Sequence, residues 1–220
     1  MECIIPIFSA YGLVTFDLFL IAILKIISTQ YEIVASAYET LAYKYKDDSI
    51  KSINKKIFKD FLSITQDCQN IYKKLEIVYR ITRPIVLLYM IGDALGLITM
   101  PYLIVMCYVQ NGSSIYSSSL LTFLWTVLVV GIQSYLICSL FQLINEKKEA
   151  VNFGIYSCDW TLLDIKIKKL ILLVMQINSS NNLKMNVTPT TFIDLPMFAT
   201  IIRSSYSVTS VMINSNIHKL

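Results

Sequence analysis

Between Arg83 and Glu146 the chain carries one formal charge, Asp93. A single small water-soluble domain cannot hide so long an uncharged stretch, whereas the hydrocarbon of a bilayer accepts it. The rest of the composition agrees. Hydrophobic residues make up 55% of the 220, against about 45–50% in ordinary soluble domains even with glycine counted. The expected fold class is all-α, an integral membrane helical bundle in contact with a lipid bilayer.

Four transmembrane spans are readable, at residues 7–29, 84–108, 118–144 and 190–213. Each exceeds the ~20 residues that a helix rising 1.5 Å per residue needs to cross the hydrocarbon. Pro84 suits the first turn of its helix, where a missing N–H costs nothing. Pro101 falls inside the same span and is expected to kink it.

Basic residues orient the spans. Ten lysines and arginines lie between Lys44 and Arg83 and six between Lys147 and Lys184, with none in 109–117 and none before Lys25. By the positive-inside rule, residues 30–83 and 145–189 are cytoplasmic, and the 109–117 loop and both termini are outside. The basic segments alternate with spans, so they read as cytoplasmic loops, and no nucleic acid is expected as a partner. Seven segments result: 1–29, 30–83, 84–108, 109–117, 118–144, 145–189, and 190–220 with its short outer tail. Asn111, in Asn111-Gly112-Ser113, forms a glycosylation sequon on the outer loop; those at Asn178 and Asn186 fall on the cytoplasmic side.

The residues for chemistry are scarce. The five cysteines (Cys3, Cys68, Cys107, Cys138, Cys158) are scattered with no CxxC, and the single histidine is His218. Neither a disulfide framework nor a metal site is suggested. No phosphate-binding loop, dinucleotide fingerprint or nucleophile elbow occurs. An enzyme is a poor hypothesis, and no cofactor is expected.

Both cytoplasmic segments are patterned. Ile53, Ile57, Phe58, Phe61, Ile64, Ile71, Leu75 and Val78 recur near helical spacing with lysines between them, as in an amphipathic helix extending the second span. Residues 165–175 repeat the idea, with Lys166, Lys168 and Lys169 before an apolar run. A helix lying on the membrane surface would show a similar pattern.

In the last span, Thr200, Arg203, Ser207, Ser210 and Asn214 form one polar stripe at +3 and +4 steps. A water-filled pore explains polar groups at membrane depth, and so does helix–helix packing through small residues. Arg203, Asp17 and Asp93 are charges inside spans, costly enough there to face protein or water. Lys25 is expected to snorkel toward the cytoplasmic headgroups.

An aromatic pair, Tyr156 and Trp160, precedes the second basic stretch, and Ser205-Tyr206-Ser207 lies near the end. That order resembles the C-terminal end of insect odorant receptors, seven-helix ligand-gated cation channels. The resemblance implies that the four spans correspond to helices 4–7 and that the chain is the C-terminal half of such a subunit, a fragment. It implies cytoplasmic anchor helices around Tyr156 and Trp160, a heterotetramer with the odorant coreceptor subunit, a small volatile hydrophobic ligand, and the plasma membrane of a sensory neuron dendrite. On the last helix it points to Thr209 and Ile213 as pore-lining, with Arg203, Ser205 and Tyr206 nearby. For the odorant pocket it points to Tyr11, Val14 and Thr15 in the first span and Leu121, Phe123, Leu124 and Trp125 in the third. A gustatory receptor of the same superfamily fits less well, because Ser205-Tyr206 and Met212-Ile213 stand where its Thr-Tyr and Gln-Phe are expected. A non-conducting membrane scaffold or remnant is the alternative from another class.

Overall fold

A computed structural model of the chain describes residues 4–41, 50–110, 118–158, 160, 163–181, 183–188 and 191–217. They form five helices: α1 (Ile4–Thr40), α2 (Ile50–Gln110), α3 (Ser118–Ser157), α4 (Ile165–Ser180) and α5 (Leu195–Ile217). Among the described residues no strand forms, only an isolated antiparallel bridge between Asn186 and Phe192. The architecture is all-α, as expected.

The helices outrun the predicted spans. α1 continues past residue 29 to Thr40, because its apolar row does not stop at the lysine: Leu20, Leu24, Ile27, Tyr31, Val34, Tyr38 and Leu41 alternate +4 and +3 and are all buried. That spacing keeps one seam facing inward. α2 is a single helix of 61 residues that fuses the amphipathic segment to the second span. Pro84 therefore sits in a helix interior and not in a first turn, a correction to the expectation above. An interior proline forfeits a backbone hydrogen bond and costs about 3 kcal/mol; Thr82, Val86 and Met90 on either side of it are buried. α3 likewise runs on past residue 144 through the charged cluster Glu146–Glu149.

By length and composition, α1, α2 and α3 are the helices among the described residues able to cross a membrane. α5 has 23 residues, long enough at 1.5 Å each. It is not in that set, since Arg203 and a row of hydroxyls lower its apolarity.

The chain divides into two compact units. The first comprises Met1–Tyr79 and Leu143–Lys184: α1, the first half of α2, the end of α3, and α4. There the Tyr38 hydroxyl and the Thr65 hydroxyl share a 2.9 Å hydrogen bond, and the Tyr38 and Phe61 rings stack tilted at 5.4 Å. Gly154 of α3 lies directly against the α1 backbone, where an added Cβ would stand 2.5 Å from the Ala35 carbonyl oxygen. The second unit comprises Arg80–Gln142 and Met185–Leu220, hence the remainder of α2 and α3 together with α5. It is tied by Ser134 donating to Asp93 (2.6 Å) and by an edge-to-face contact of Tyr135 and Phe198 at 5.8 Å.

Candidate functional site

The position of α5 is set by the turn that precedes it. The Ile193 N–H donates to the Met185 carbonyl and the Val187 N–H to the Thr191 carbonyl, closing a short bridged loop. That loop occupies the first residues of the predicted last span, so the helix starts at Leu195 and not near 190. Asp194 then caps it: its Oδ1 accepts from the Met197 N–H at 2.9 Å, the N-cap to N3 bond that satisfies an orphan donor. The Leu195 N–H donates to Gln142 Oε1 of α3 at 3.3 Å.

Two faces of α5 follow from this anchoring. Ser205 and Thr209 are buried, and the Thr209 hydroxyl donates to the Ile98 carbonyl of α2 at 3.3 Å. Ile213 is half-buried, and Tyr206 is exposed. On the opposite side, Thr200, Arg203, Ser207 and Asn214 are exposed and Ser210 is half-buried. Of the residues singled out for a pore, Ser205 and Thr209 thus face the chain's own second unit. Arg203 belongs to the open polar face.

Of the residues singled out for a ligand pocket, Tyr11, Val14 and Thr15 belong to the first unit and Leu121, Phe123, Leu124 and Trp125 to the second. Val14, Leu121, Leu124 and Trp125 are all more than half exposed, Thr15 is exposed and Phe123 is half-buried. Tyr11 lies on α1. The sequon at Asn111 and the 109–117 loop from residue 111 onward fall outside the described residues, as does His218. The Tyr156 and Trp160 rings are also exposed. Asp17 is half-buried; Asp93 has the Ser134 hydroxyl as a partner.

Sequence reasoning missed a cavity within the first unit. Its volume is about 440 Å³, within the range of ~300–1,000 Å³ usual for small-ligand sites. All four helices of that unit reach it: Tyr31 from α1, Thr65, Cys68 and Lys73 from α2, Asn145, Lys148 and Asn152 from α3, and Asn178 from α4, with Lys184 just beyond. Lys148 donates to the Leu183 carbonyl at 2.7 Å, and Asn152 Nδ2 to the Ser179 hydroxyl at 3.3 Å. Burial, reinforced by the neighbouring Lys184 ammonium, lowers the Lys148 pKa to about 8. The asparagines are visible in the sequence, but only the folded packing of four helices brings them to one place.

A family model described as 7tm Odorant receptor matches residues 1–206. The match takes in α1 to α4 and reaches Tyr206 on α5. Among curated proteins, none matches the chain.

Proposed function

The chain belongs to the odorant receptor family, and on that premise we propose that it forms part of a receptor subunit in which α5 borders an ion conduit. The observation that carries this reading is the polar face of α5. Thr200, Arg203, Ser207 and Asn214 are exposed along one side of a 23-residue helix, while its other side is sealed onto α2 through Thr209. A row of hydroxyls and a guanidinium is costly against lipid and favourable against water. The same row makes α5 less apolar than the candidate spans within α1, α2 and α3, and in this reading α5 is nevertheless the fourth span.

In this reading α1 crosses the membrane in its first half, α2 and α3 cross through their uncharged stretches, and residues 30–83 and 145–189 lie in the cytoplasm. The exposed Tyr156 and Trp160 rings then serve as packing surface between subunits. The partner is the odorant coreceptor in a heterotetramer at the plasma membrane of a sensory neuron dendrite. Agonist, a small volatile hydrophobic molecule, acts by binding the open state more tightly than the closed one. Leu121 and Trp125 are exposed apolar surface of the second unit, the kind of surface an outer ligand pocket uses.

The test is coexpression with the coreceptor. The complete product of the transcript is placed in a cell with no endogenous receptor, and membrane current is recorded over an odorant panel. An odorant-evoked cation current absent with the coreceptor alone supports the proposal. Surface-expressed protein that assembles but never alters the current defeats it.

A further inference from the structure

The hydrogen bond from Thr209 to α2 stands apart from those of the other helical threonines. Thr99, Thr126 and Thr200 each donate to the carbonyl four residues earlier in their own helix, at 3.0, 2.9 and 2.9 Å. On α5 itself the buried Ser205 does the same, donating to the Ile201 carbonyl at 2.8 Å. Thr209 lies one turn further along the same buried face, yet it donates across to the Ile98 carbonyl of α2 at 3.3 Å. A carbonyl inside a regular helix is already engaged by the N–H four residues ahead. An outside donor reaches it readily only where that turn is opened.

Pro101 supplies the reason. It lies inside α2, three residues after Ile98. Having no N–H, it cannot bond to the Leu97 carbonyl, and its ring crowds that same carbonyl. Helices relieve this contact by bending at the proline, which turns the carbonyls of the preceding turn outward. Hydroxyl side chains of a neighbouring helix are one means by which prolines are tolerated within membrane helices. Leu97 is buried, and so is Thr209, so the contact is shielded on both sides.

The place of the bond on α5 gives it a consequence. The start of α5 is tied to α3, where the Leu195 N–H meets Gln142 Oε1 and the Phe198 ring packs on Tyr135. Thr209 lies about 21 Å further along the helix at 1.5 Å per residue. Apolar packing over that distance is non-directional, whereas a hydrogen bond has a preferred geometry. The Thr209 bond therefore selects the rotation of the far half of α5. At 3.3 Å it is long for a hydroxyl donor, hence weak enough to be released.

We propose that Pro101 and Thr209 form a latch within the second unit: the proline opens the turn of α2 that carries Ile98, the Thr209 hydroxyl closes on it, and a change in the bend of α2 is thereby passed to the rotation of α5. As a regulator of the conduit the latch rests on the reading of α5 given above. As a tie between two helices it does not.

The experiment has two arms. In the first, unfolding of the full chain is measured in mixed micelles for a double-mutant cycle. Thr209→Val keeps the shape and removes the donor, and it raises the unfolding constant about threefold, the scale of a hydrogen bond between membrane helices. Thr209→Ser restores the wild-type value. Pro101→Ala returns the missing N–H to α2, and in that background Thr209→Val has little effect. Pro101→Leu takes its place should the alanine variant fail to fold. Thr126→Val, whose hydroxyl serves its own helix, has the same effect with or without Pro101. Additive effects of Thr209→Val and Pro101→Ala overturn the latch, as does a Thr209→Ser loss equal to that of Thr209→Val.

In the second arm the same variants of the complete product are assembled with the coreceptor. Thr209→Val and Pro101→Ala each shift the half-maximal agonist concentration about threefold or more, and the two together shift it no further than either alone. Wild-type current with no shift in either variant overturns the passage of α2 bending to α5. If the wild type itself carries no current, the receptor reading fails, and the first arm alone decides whether the latch exists.

Discussion

Ser134 on α3 donates a 2.6 Å hydrogen bond to Asp93 on α2, placing a hydroxyl donor on the one carboxylate in the uncharged central stretch. The bond pins the two helices together at this level. Removing the donor leaves an acid in an apolar setting with one partner fewer. Ser134→Ala should therefore lower stability in mixed micelles by about 1 kcal/mol, the scale of interhelical hydrogen bonds in membranes. Ser134→Thr keeps the hydroxyl and should retain most of it. Equal unfolding curves for Ser134→Ala and wild type would remove any role for the contact.

Gly154 presents the reverse of the usual glycine substitution. In an exposed helix interior, Gly→Ala stabilises by about 1 kcal/mol through helix propensity. Here the new methyl would lie 2.5 Å from the Ala35 carbonyl oxygen and 3.1 Å from its carbonyl carbon and Cα, and a backbone does not swing aside as a side chain can. The expected outcome is a loss of about 1–3 kcal/mol, the ordinary cost of overpacking. Denaturant midpoints for Gly154→Ala and, as a control, Gly131→Ala check this, because a Cβ on Gly131 meets nothing within 4 Å.

What the sequence reveals and what it hides divide along local and distant causes. The helical class, the apolar stretches and the polar stripe of α5 are periodic signals carried by neighbours three and four residues apart, and they are legible. The extension of α1 is legible too: Tyr31, Val34 and Tyr38 continue the row begun by Leu20, but Lys25 and the polar residues after it invite an early stop. The start of α5 is signalled by Asp194 two residues before Pro196, a cap that the apolar run from residue 190 obscures. Gly154 gives no sign of its partner, since Ala35 belongs to another helix far away in the chain. The burial of Thr209 likewise depends on Ile98. No spacing rule finds a cavity whose walls come from four helices.

Lys148 makes the stability of the first unit depend on pH in a stated direction. Desolvation and the Lys184 ammonium depress its pKa from 10.5 to about 8, so the folded chain releases a proton that the unfolded chain still holds. Stability should rise with pH between about 8 and 10.5 and be insensitive to this group below that window. The other lining groups include Tyr31, Tyr72, Lys73, Glu149 and Lys184, together with Cys68. Cys68 works in the opposite sense, because burial pushes its thiol from 9.0 up to about 11. The informative quantity is the difference in unfolding temperature between wild type and Lys148→Met across pH 7 to 11: it should shift in favour of wild type as pH rises. A difference that stays flat would show that Lys148 is ordinarily hydrated.

The two faces of α5 make opposite demands on a water-soluble thiol reagent. Ser207 is exposed, on the polar row with Arg203; Thr209 is 7% exposed and bonded to the Ile98 carbonyl. If the conduit runs along the polar row, Ser207→Cys in the assembled receptor should react with a charged methanethiosulfonate and the agonist-evoked current should fall. Thr209→Cys should be protected in the same assay, because reaching it means parting α5 from α2. Arg203→Gln should in addition change single-channel conductance, since a fixed positive charge beside a cation pathway repels the ions it carries. Rapid modification at Thr209→Cys with protection at Ser207→Cys would reverse the assignment. It would place the conduit on the face that Thr209 and Ile213 share, and α5 would then have to rotate away from its contact with α2 when subunits assemble.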